Sequence, residues 1–386
     1  MKIAIATGTR ADWGLLHPLA VTLRQRGTDP LILATHQHLM PQMGNTLEEI
    51  KADGFNPAMT IPAFGSAPEI MAMAARGFAD ALRITEPDAL VILGDRCEML
   101  GAASAALLSG VPVVHIAGGT VSEGAFDDSV RHAITKMATL HFPETDMCAR
   151  RILQMGEDPQ NVVTAGALGV SNTISVPRMD RHELSLSLGG WDPGERFLVV
   201  TLHAATLADG EPLCVQRNML DALALLPQSW RMIITYPNSD VDPAPLIAGL
   251  HEFERRMGSR VKVVPSLGRV RYISAVALAS GVVGNSSSAL VEVPSLGTPS
   301  LDIGSRQKGR EHGPSVLHCG TSCEAIRHGL DRLLSAPVQS LAAECVNPYS
   351  RPDTPGIIAG RILSYPFHRF PAKHFHCHGD GSSSGT

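Results

Sequence analysis

The chain has 386 residues with a formal net charge of −5, and 44% of its residues are hydrophobic. This length predicts two domains of ordinary size, and the near balance of charge argues against nucleic acid or an anionic membrane surface as a partner. No apolar run has membrane-spanning length and the first residues lack a signal-peptide pattern, so we expect a cytoplasmic protein. The seven scattered cysteines include no CxxC pair, which indicates reduced thiols.

Short apolar runs alternate with helical stretches along the chain, as in parallel sheets whose strands are joined by helices. The strands predicted in the first half are Lys2–Ala6, Pro30–Ala34, Ala89–Leu93, Val111–Ile116, Leu140–Phe142 and Val162–Ala165. Helices predicted between them include Leu15–Arg26 and Glu98–Ser109. The strands predicted in the second half are Phe197–Leu202, Arg231–Thr235, Val261–Val264, Gly281–Val283, Pro299–Ile303 and Ser315–His318. The pattern therefore predicts an α/β protein of two doubly wound, Rossmann-like domains.

The domain boundary is predicted near residues 172–195, where Pro, Asp, Gly and Ser cluster. We expect an N-terminal domain at 1–178 and a C-terminal domain at 179–365, whose last helix could pack back on the first domain. The tail, 366–386, has structure-breaking residues and no periodicity, which predicts disorder. Its histidines and Cys377 are not expected to form a functional metal site.

Ligands of doubly wound sheets bind beyond the carboxyl ends of the strands, so polar residues that directly follow apolar runs are the first candidates. After the first strand, Gly8 permits a tight turn and Arg10 could clamp a phosphate; the alternative is that Arg10 only pairs with Asp12. There is no GxGxxG motif to support a dinucleotide cofactor. After the third predicted strand, Asp95 is a candidate acid or base, and Arg96 either tunes it, contacts substrate or forms a structural ion pair.

The loop after the fourth predicted strand combines glycines with carboxylates. Gly118 and Gly119 let the backbone approach a ligand closely. Glu123, Asp127 and Asp128 follow, just before a predicted helix. One aspartate could cap that helix, but two adjacent carboxylates exceed capping needs, so at least one is expected to face a ligand.

In the second half, His203 is the first polar residue after an apolar strand. It is a candidate general acid, with a hydrogen-bonded core histidine as the alternative. Asn238 follows the next strand, and its amide can read a base or a hydroxyl.

The most informative stretch is GNSSSALVEVPSLGTPSLDIGSRQKGR. Ser286, Ser287 and Ser288 stand where a helix is predicted to begin, and free backbone N–H groups there form a natural anion site. Glu292 follows one turn later and suits a ribose diol, while Arg306 adds positive charge. The alternative, an ordinary helix cap, needs only one of the three serines. The stretch therefore predicts a nucleotide-phosphate site.

Taken together, the motifs resemble the UDP-N-acetylglucosamine 2-epimerase family, and most closely its hydrolysing branch, which serves sialic and legionaminic acid synthesis. The resembling stretches run in family order over residues 1–365: GTRADWGLL, ILGDRCEML, HIAGGTVSEGAFDDSVRHAITKMATLHF, TLHAAT, YPNSD, PSLG and the serine-rich stretch above. The resemblance implies a glycosyltransferase-B-like fold, two Rossmann-like domains facing a cleft, with UDP bound mainly by the second. It also implies a UDP-sugar substrate, no redox cofactor or metal, and a homodimer or homotetramer.

The resemblance also implies roles for individual residues. Those matching nucleotide-side residues of the family are Arg10, His203, Asn238, Ser286, Ser287, Glu292 and Arg306. Asp95 and Asp127 match carboxylates assigned to catalysis, and Arg96 matches a substrate-side arginine. The chain departs from the family at Ala117, where many relatives have a glutamate, and at Thr120, where others have a carboxylate; Glu123 could substitute.

The implied reaction removes the C2 proton of a UDP-2-acetamido sugar, eliminates UDP, then adds water at C1 and returns a proton at C2 from the other face. A non-hydrolysing epimerase is an alternative, although that branch resembles HVEAGLR and HRREN, where this chain has HIAGGTV and HAAT. A glycosyltransferase of the same fold and an inactive nucleotide-sugar-binding protein are the others.

Overall fold

The computed structural model describes residues 1–41, 46–121, 126–204, 210–237, 243–370 and 373–377. The chain forms two compact units, one comprising Met1–Ser171 with Arg351–Thr386 and the other Asn172–Ser350. The division differs from the expected segments 1–178 and 179–365 chiefly because the chain returns to the first unit after completing the second.

Each unit is built on a parallel sheet. The first unit has β1 (Ile3–Thr7), β2 (Leu31–Thr35), β3 (Pro57–Ile61), β4 (Ala89–Leu93), β5 (Val113–Ile116) and β6 (Leu140–Phe142). The second has β7 (Phe197–Thr201), β8 (Arg231–Thr235), β9 (Val261–Val264), β10 (Gly281–Gly284), β11 (Ser300–Ile303) and β12 (Val316–Cys319). Within the described residues, the strand orders are β3-β2-β1-β4-β5-β6 and β12-β11-β10-β7-β8-β9. Both are the order of the Rossmann fold.

Helices connect the strands and cover both faces of each sheet. They are α1 (Arg10–Gln25), α2 (Leu47–Ala52), α3 (Ala67–Thr85), α4 (Cys97–Leu108), α5 (Phe126–Met137), α6 (Asp146–Gln154), α7 (Leu168–Ser175), α8 (Arg181–Ser187), α9 (Pro212–Ala224), α10 (Ala244–Met257), α11 (Gly268–Leu278), α12 (Ser288–Val291), α13 (Cys323–Leu333), α14 (Ala336–Ala343) and α15 (Thr354–Ser364). Both faces of each sheet are buried, which explains why the strands are nearly continuous apolar runs.

Most predicted strands agree with the structure within one or two residues at each end. The sequence analysis missed β3, an edge strand that begins with Pro57 and whose residues alternate between partly buried and exposed. The predicted strand at Val162–Ala165 is wrong, because this segment runs beside β6 and forms only one isolated bridge, between His141 and Val162. Helix α1 begins earlier than predicted, since Thr9 caps it by accepting the Asp12 N–H at 3.1 Å.

Part of the tail is bound to the first unit, in contrast to the disorder expected over 366–386. The Lys373 ammonium donates to the Ala138 carbonyl at 2.7 Å, just beyond the end of α5. It also pairs at 2.7 Å with Glu157, whose side chain is only 1% exposed. A Cβ at Gly156 would lie 2.4 Å from the Phe375 ring, so this glycine leaves room for the tail. The Lys373 charge is thus placed where a helix C-terminus favours a cation.

Helices α3 and α4 pack closely at Gly101. A Cβ at this residue would lie 2.5 Å from the Met71 carbonyl oxygen and 2.8 Å from the Ala75 nitrogen, both backbone atoms of α3. In contrast, a Cβ at Gly14 in α1 would meet nothing within 4 Å.

We therefore expect Gly101→Ala to lower the free energy of unfolding by about 2 kcal/mol or more, because the two helices must separate. The matched control Gly14→Ala should raise it by about 0.5–1 kcal/mol, since alanine only improves helix propensity there. Urea titrations of the two variants and the parent measure both effects. Equal stabilities of the two variants would contradict the close packing of α3 and α4.

Candidate functional site

Several of the predicted site residues follow the strands at the topological switch point of each sheet. In the first unit β1 neighbours β4, and in the second β7 neighbours β10, although each pair is far apart in sequence. Connections leave such neighbouring strands toward opposite sides of the sheet, which opens a crevice beyond their carboxyl ends. Following these strands directly are Arg10 and Asp12, Asp95 and Arg96, His203, and Asn285, Ser286 and Ser287.

Asp95 is held by an ion pair with Arg131 of α5. The Arg131 side chain is only 5% exposed, and its Nη1 also donates to the Thr120 carbonyl at 2.7 Å. Asp95 is therefore paired with Arg131, and not with the adjacent Arg96 that the sequence analysis considered. The pair joins the end of β4 to α5 and fixes the Asp95 carboxylate beside the switch point.

Arg96 is oriented by Glu98, a carboxylate that is fully buried. The Arg96 Nε donates to Glu98 Oε1 at 2.6 Å, while the Arg96 side chain remains 37% exposed. Gly8 makes room for this pair, because a Cβ there would lie 2.4 Å from Glu98 Oε1. The buried Glu98 carboxylate therefore holds the Arg96 guanidinium, part of which remains exposed. Glu98 and Arg131 were not identified from the sequence, since only the fold reveals their partners.

Asp12, on the first turn of α1, is an enclosed carboxyl group near the same pair. Burial raises its pKa to about 6, opposed by the charge of Arg96 and reinforced by that of Glu98. Its Oδ2 is buried and has no hydrogen-bond partner among the described residues. Asp12 therefore changes charge close to neutral pH, which makes it able to hold or release a proton at the crevice.

Arg10 lies away from Asp12, in contrast to the ion pair considered from the sequence. Its Nε pairs with Glu49 of α2 at 3.0 Å, and its side chain is 74% exposed. A pair this exposed contributes little to stability, so Arg10 can exchange its partner for an anionic ligand at small cost.

The first turn of α5 carries the remaining predicted carboxylates of this unit. Asp127 is partly buried there. Asp128 pairs with Arg131 and with His132, each at 3.4 Å. Asp128 therefore takes part in the ion-pair network around Arg131. Glu123 lies outside the described residues.

The two departures from the family pattern have different structural settings. Ala117 adopts a left-handed conformation with φ +64°, which is strained for a residue with a Cβ. Thr120 is buried, and its carbonyl accepts from Arg131 as described above. Thr120 thus contributes its backbone to the Asp95 network.

In the second unit, Asn285 clamps the two loops at the switch point together. Its Oδ1 accepts the His203 N–H at 2.7 Å, and its Nδ2 donates to the His203 carbonyl at 2.9 Å. The Asn285 carbonyl accepts from Arg306 Nη1 at 3.2 Å and from Gln307 Nε2 at 2.8 Å. One amide side chain and one peptide carbonyl therefore position His203 and Arg306. Asn238 lies outside the described residues.

A cavity lies beside this clamp in the second unit. Its walls include Leu202, Leu246 and Ile303, and its polar side is formed by His203 and Asn285. Most of its lining is therefore apolar, with a few polar groups.

The serine-rich turn differs from the prediction in one respect. The helix that begins at Ser288 is a single turn, Ser288–Val291, followed by a 3₁₀ turn at Val293–Leu296. So short a helix has only a small dipole, because the dipole grows with the number of aligned peptides. The hydroxyls of Ser286 and Ser287, both partly buried, are therefore the main basis for an anion site here.

Glu292 ends this helical turn and is hydrogen-bonded within the unit. Ser288 Oγ donates to Glu292 Oε2 at 2.5 Å, and Tyr272 Oη lies 2.8 Å from the same Ser288 oxygen. Burial raises the pKa of Glu292, while the Ser288 hydrogen bond and the charge of Arg269 lower it.

In the described part of the chain, no three His, Cys, Asp or Glu residues are grouped so that they could hold a metal ion. Over the same residues, no helix combines the length and apolar character needed to cross a membrane.

The titration of Asp12 predicts a pH-dependent stability. Its folded-state pKa, about 6, is above the ordinary 3.8, so the folded state binds a proton more tightly and loses stability as pH rises from about 4 past 6. We expect Asp12→Asn to remove this loss. The free energy of unfolding of the variant, relative to that of the parent, should then be up to about 3 kcal/mol higher at pH 8 than at pH 4. Urea titrations at both pH values test this, with the exposed Asp80→Asn as control. A gain equal at both pH values would contradict the raised pKa.

Comparison with known proteins identifies the family. The family model for UDP-N-acetylglucosamine 2-epimerase matches residues 22–363. A Campylobacter jejuni relative named GDP/UDP-N,N'-diacetylbacillosamine 2-epimerase (hydrolyzing) is 33% identical over 323 residues, 82% of this chain and 83% of the relative. The Escherichia coli polysialic acid biosynthesis protein P7 is 31% identical over 355 residues, 90% of each chain.

Solved structures share the fold. The UDP-GlcNAc 2-epimerase from Neisseria meningitidis, solved with UDP-GlcNAc bound, superposes with a TM-score of 0.75 at 16% identity, covering 95% of this chain and 100% of that one. Similarity at this identity shows the fold alone, and it confirms the predicted class of two doubly wound Rossmann-like domains. With a family model that covers most of the chain and relatives above 30% identity, the chain belongs to the UDP-N-acetylglucosamine 2-epimerase family.

Proposed function

We propose that this protein is a hydrolysing 2-epimerase that converts a UDP-2-acetamido sugar to UDP and the free, epimerised sugar. The observation that carries the proposal is the similarity, over most of both chains, to a relative named as a hydrolysing 2-epimerase. The sequence HIAGGTV, where non-hydrolysing enzymes resemble HVEAGLR, supports the same branch.

The second unit supplies a binding site for UDP in this proposal. The hydroxyls of Ser286 and Ser287 receive the diphosphate, and Glu292 accepts from the ribose diol. Arg306, fixed by the Asn285 carbonyl, adds positive charge. Stabilising the diphosphate matters for rate as well as affinity, because negative charge develops on it as the C1–O bond breaks.

The first unit supplies the proton-transfer groups. The C2 proton of the sugar is weakly acidic, so a positioned carboxylate is required to remove it. Asp95 and Asp127 are the candidates, and the ion pair to Arg131 fixes the first of them. His203 of the second unit protonates or stabilises the departing diphosphate. Arg96 contacts the sugar, Arg10 lies on the phosphate side, and Glu123 and Asn238 keep the roles that the resemblance implies.

The reaction then proceeds without a redox cofactor. Removal of the C2 proton and departure of UDP leave a 2-acetamidoglycal. Water adds at C1, and a proton returns to C2 on the opposite face, which gives the inverted sugar.

The sugar itself is either UDP-N-acetylglucosamine or a 2,4-diacetamido relative of it. The names of the two curated relatives support both, one through diacetylbacillosamine and one through polysialic acid synthesis. We propose that the protein is cytoplasmic, because its substrate would be a nucleotide sugar. From the family resemblance we also propose a homodimer or homotetramer that serves sialic or legionaminic acid synthesis.

A panel of UDP-2-acetamido sugars incubated with the protein in heavy water tests the function. NMR of the products should show UDP and a free 2-epimerised sugar that carries deuterium at C2. Nucleotide retained on the product would indicate the non-hydrolysing reaction, and transfer to an acceptor would indicate a glycosyltransferase. Binding without turnover or deuterium exchange would indicate an inactive binding protein.

Replacing the first-unit carboxylates should separate catalysis from binding. We expect Asp95→Asn and Asp127→Asn each to lower kcat by about 100-fold or more, because an amide cannot accept the C2 proton. The Kd for UDP should not change, since neither carboxylate is among its proposed ligands. Asp80→Asn, which alters a carboxylate that is 61% exposed, is the control. Full activity in both variants would remove the proposed base.

A further inference from the structure

Hydrogen bonds join three side chains of the second unit: Tyr272, Ser288 and Glu292. We propose that Tyr272, acting through Ser288, is a positioning residue that holds Glu292 ready to accept the two hydroxyls of a ribose. This inference rests on the proposed function of the same site. It adds a role for Tyr272 and a different role for Ser288.

The direction of each hydrogen bond follows from the number of protons available. An ionised carboxylate can only accept, and a serine hydroxyl has a single hydrogen. Ser288 donates that hydrogen to Glu292 Oε2 at 2.5 Å. Ser288 must therefore accept from Tyr272, whose Oη lies 2.8 Å away. Burial raises the pKa of Tyr272, so its phenol keeps the proton that this chain requires.

The donor at the start of the chain is rigidly placed. Tyr272 lies on α11, and its ring packs against the hydrophobic core that contains Ile233 and Val264. Its hydroxyl is therefore fixed by core packing and not by a mobile loop. Ser288 and Glu292 are separated by one turn of α12, so all three hydrogen-bonded side chains lie on or next to regular helical segments.

This arrangement addresses a specific problem of an enclosed carboxylate. Burial alone favours the neutral form of Glu292, and a protonated carboxyl is a poorer acceptor for two hydroxyls. A hydrogen bond to Oε2 stabilises the ionised form and fixes the rotamer, while Oε1 and the second lone pair of Oε2 remain able to accept. Arg269, one turn before Tyr272 on α11, adds a charge of the correct sign. The carboxylate is thus preorganised, which lowers the entropy lost when a ligand binds.

A simpler interpretation is that these hydrogen bonds only give partners to the hydroxyl groups of Tyr272 and Ser288 and have no role in binding. The two readings differ in which ligands they affect. If Tyr272 positions Glu292 for a ribose, its loss should matter for a nucleotide that has the 2′- and 3′-hydroxyls and not for one that lacks them.

The test compares the affinity of the full-length protein for UDP and for 2′,3′-dideoxy-UDP by calorimetry. We expect the parent to bind UDP more tightly than the dideoxy analogue. Tyr272→Phe should weaken the binding of UDP about five- to tenfold, the effect typical of one hydrogen bond near a charged group. Its affinity for the dideoxy analogue should be unchanged. Ser288→Ala should weaken UDP at least as much, and the double variant no further, because either change breaks the same chain.

Tyr349→Phe is the matched control. Its hydroxyl also donates within the second unit, to the Glu311 carbonyl at 2.9 Å, so the variant loses a comparable buried hydrogen bond without touching Glu292. It should bind both ligands like the parent.

Several outcomes would overturn the inference. Equal weakening of both ligands in Tyr272→Phe would indicate general loosening of the unit, and no weakening of UDP would remove the positioning role. A parent that binds both nucleotides equally would show that Glu292 does not read the diol, while the UDP site would stand. A parent that binds neither would remove the proposed function, and this inference with it.

Discussion

Parallel pairing of every strand with its neighbours is the constraint on which both candidate sites depend. It places the carboxyl ends of all strands of a unit on one edge, so that the loops carrying polar residues collect there. The shared strand order then brings together loops that are distant in sequence. Asp12 comes close to Arg96 across β1 and β4, and His203 contacts Asn285 across β7 and β10. Neither pair would be close if the strands followed one another in simple sequence order.

Buried polar groups then fix the side chains at these edges. Asp95 is anchored by Arg131 and Arg96 by Glu98, while Asn285 holds the backbone of His203. A buried ion pair often adds little net stability, because desolvation of both charges opposes their attraction. What such pairs provide here is a defined direction for each charged group, which suits a reaction whose charges develop at particular atoms. Gly8 leaves room for the Glu98 side chain. At Gly284 the backbone lies so close to that of Thr201 that a Cβ would not fit.

The fold could be predicted from the sequence because both faces of each sheet are buried and the strands are therefore apolar runs. Where that condition fails, the prediction fails too: β3 is a half-exposed edge strand, and the run at Val162 is joined to β6 by only one isolated bridge. The candidate residues could be predicted because they follow apolar runs directly. Their partners could not, since Asp95 pairs with a residue on a distant helix and Arg96 with a carboxylate that looks like an ordinary helix residue. The serine-rich turn begins a helix near the predicted position, but that helix ends after a single turn, at Val291.

The return of the chain to the first unit has a consequence for its synthesis on the ribosome. Ile358, Ala359 and Ile362 of α15 complete the core that contains Leu16 and Leu19 of α1, and they are translated after the whole second unit. A nascent chain that has emerged only as far as residue 350 must therefore keep an apolar strip of α1 uncovered. Until α15 has been made, that strip is open to chaperones or to a neighbouring nascent chain.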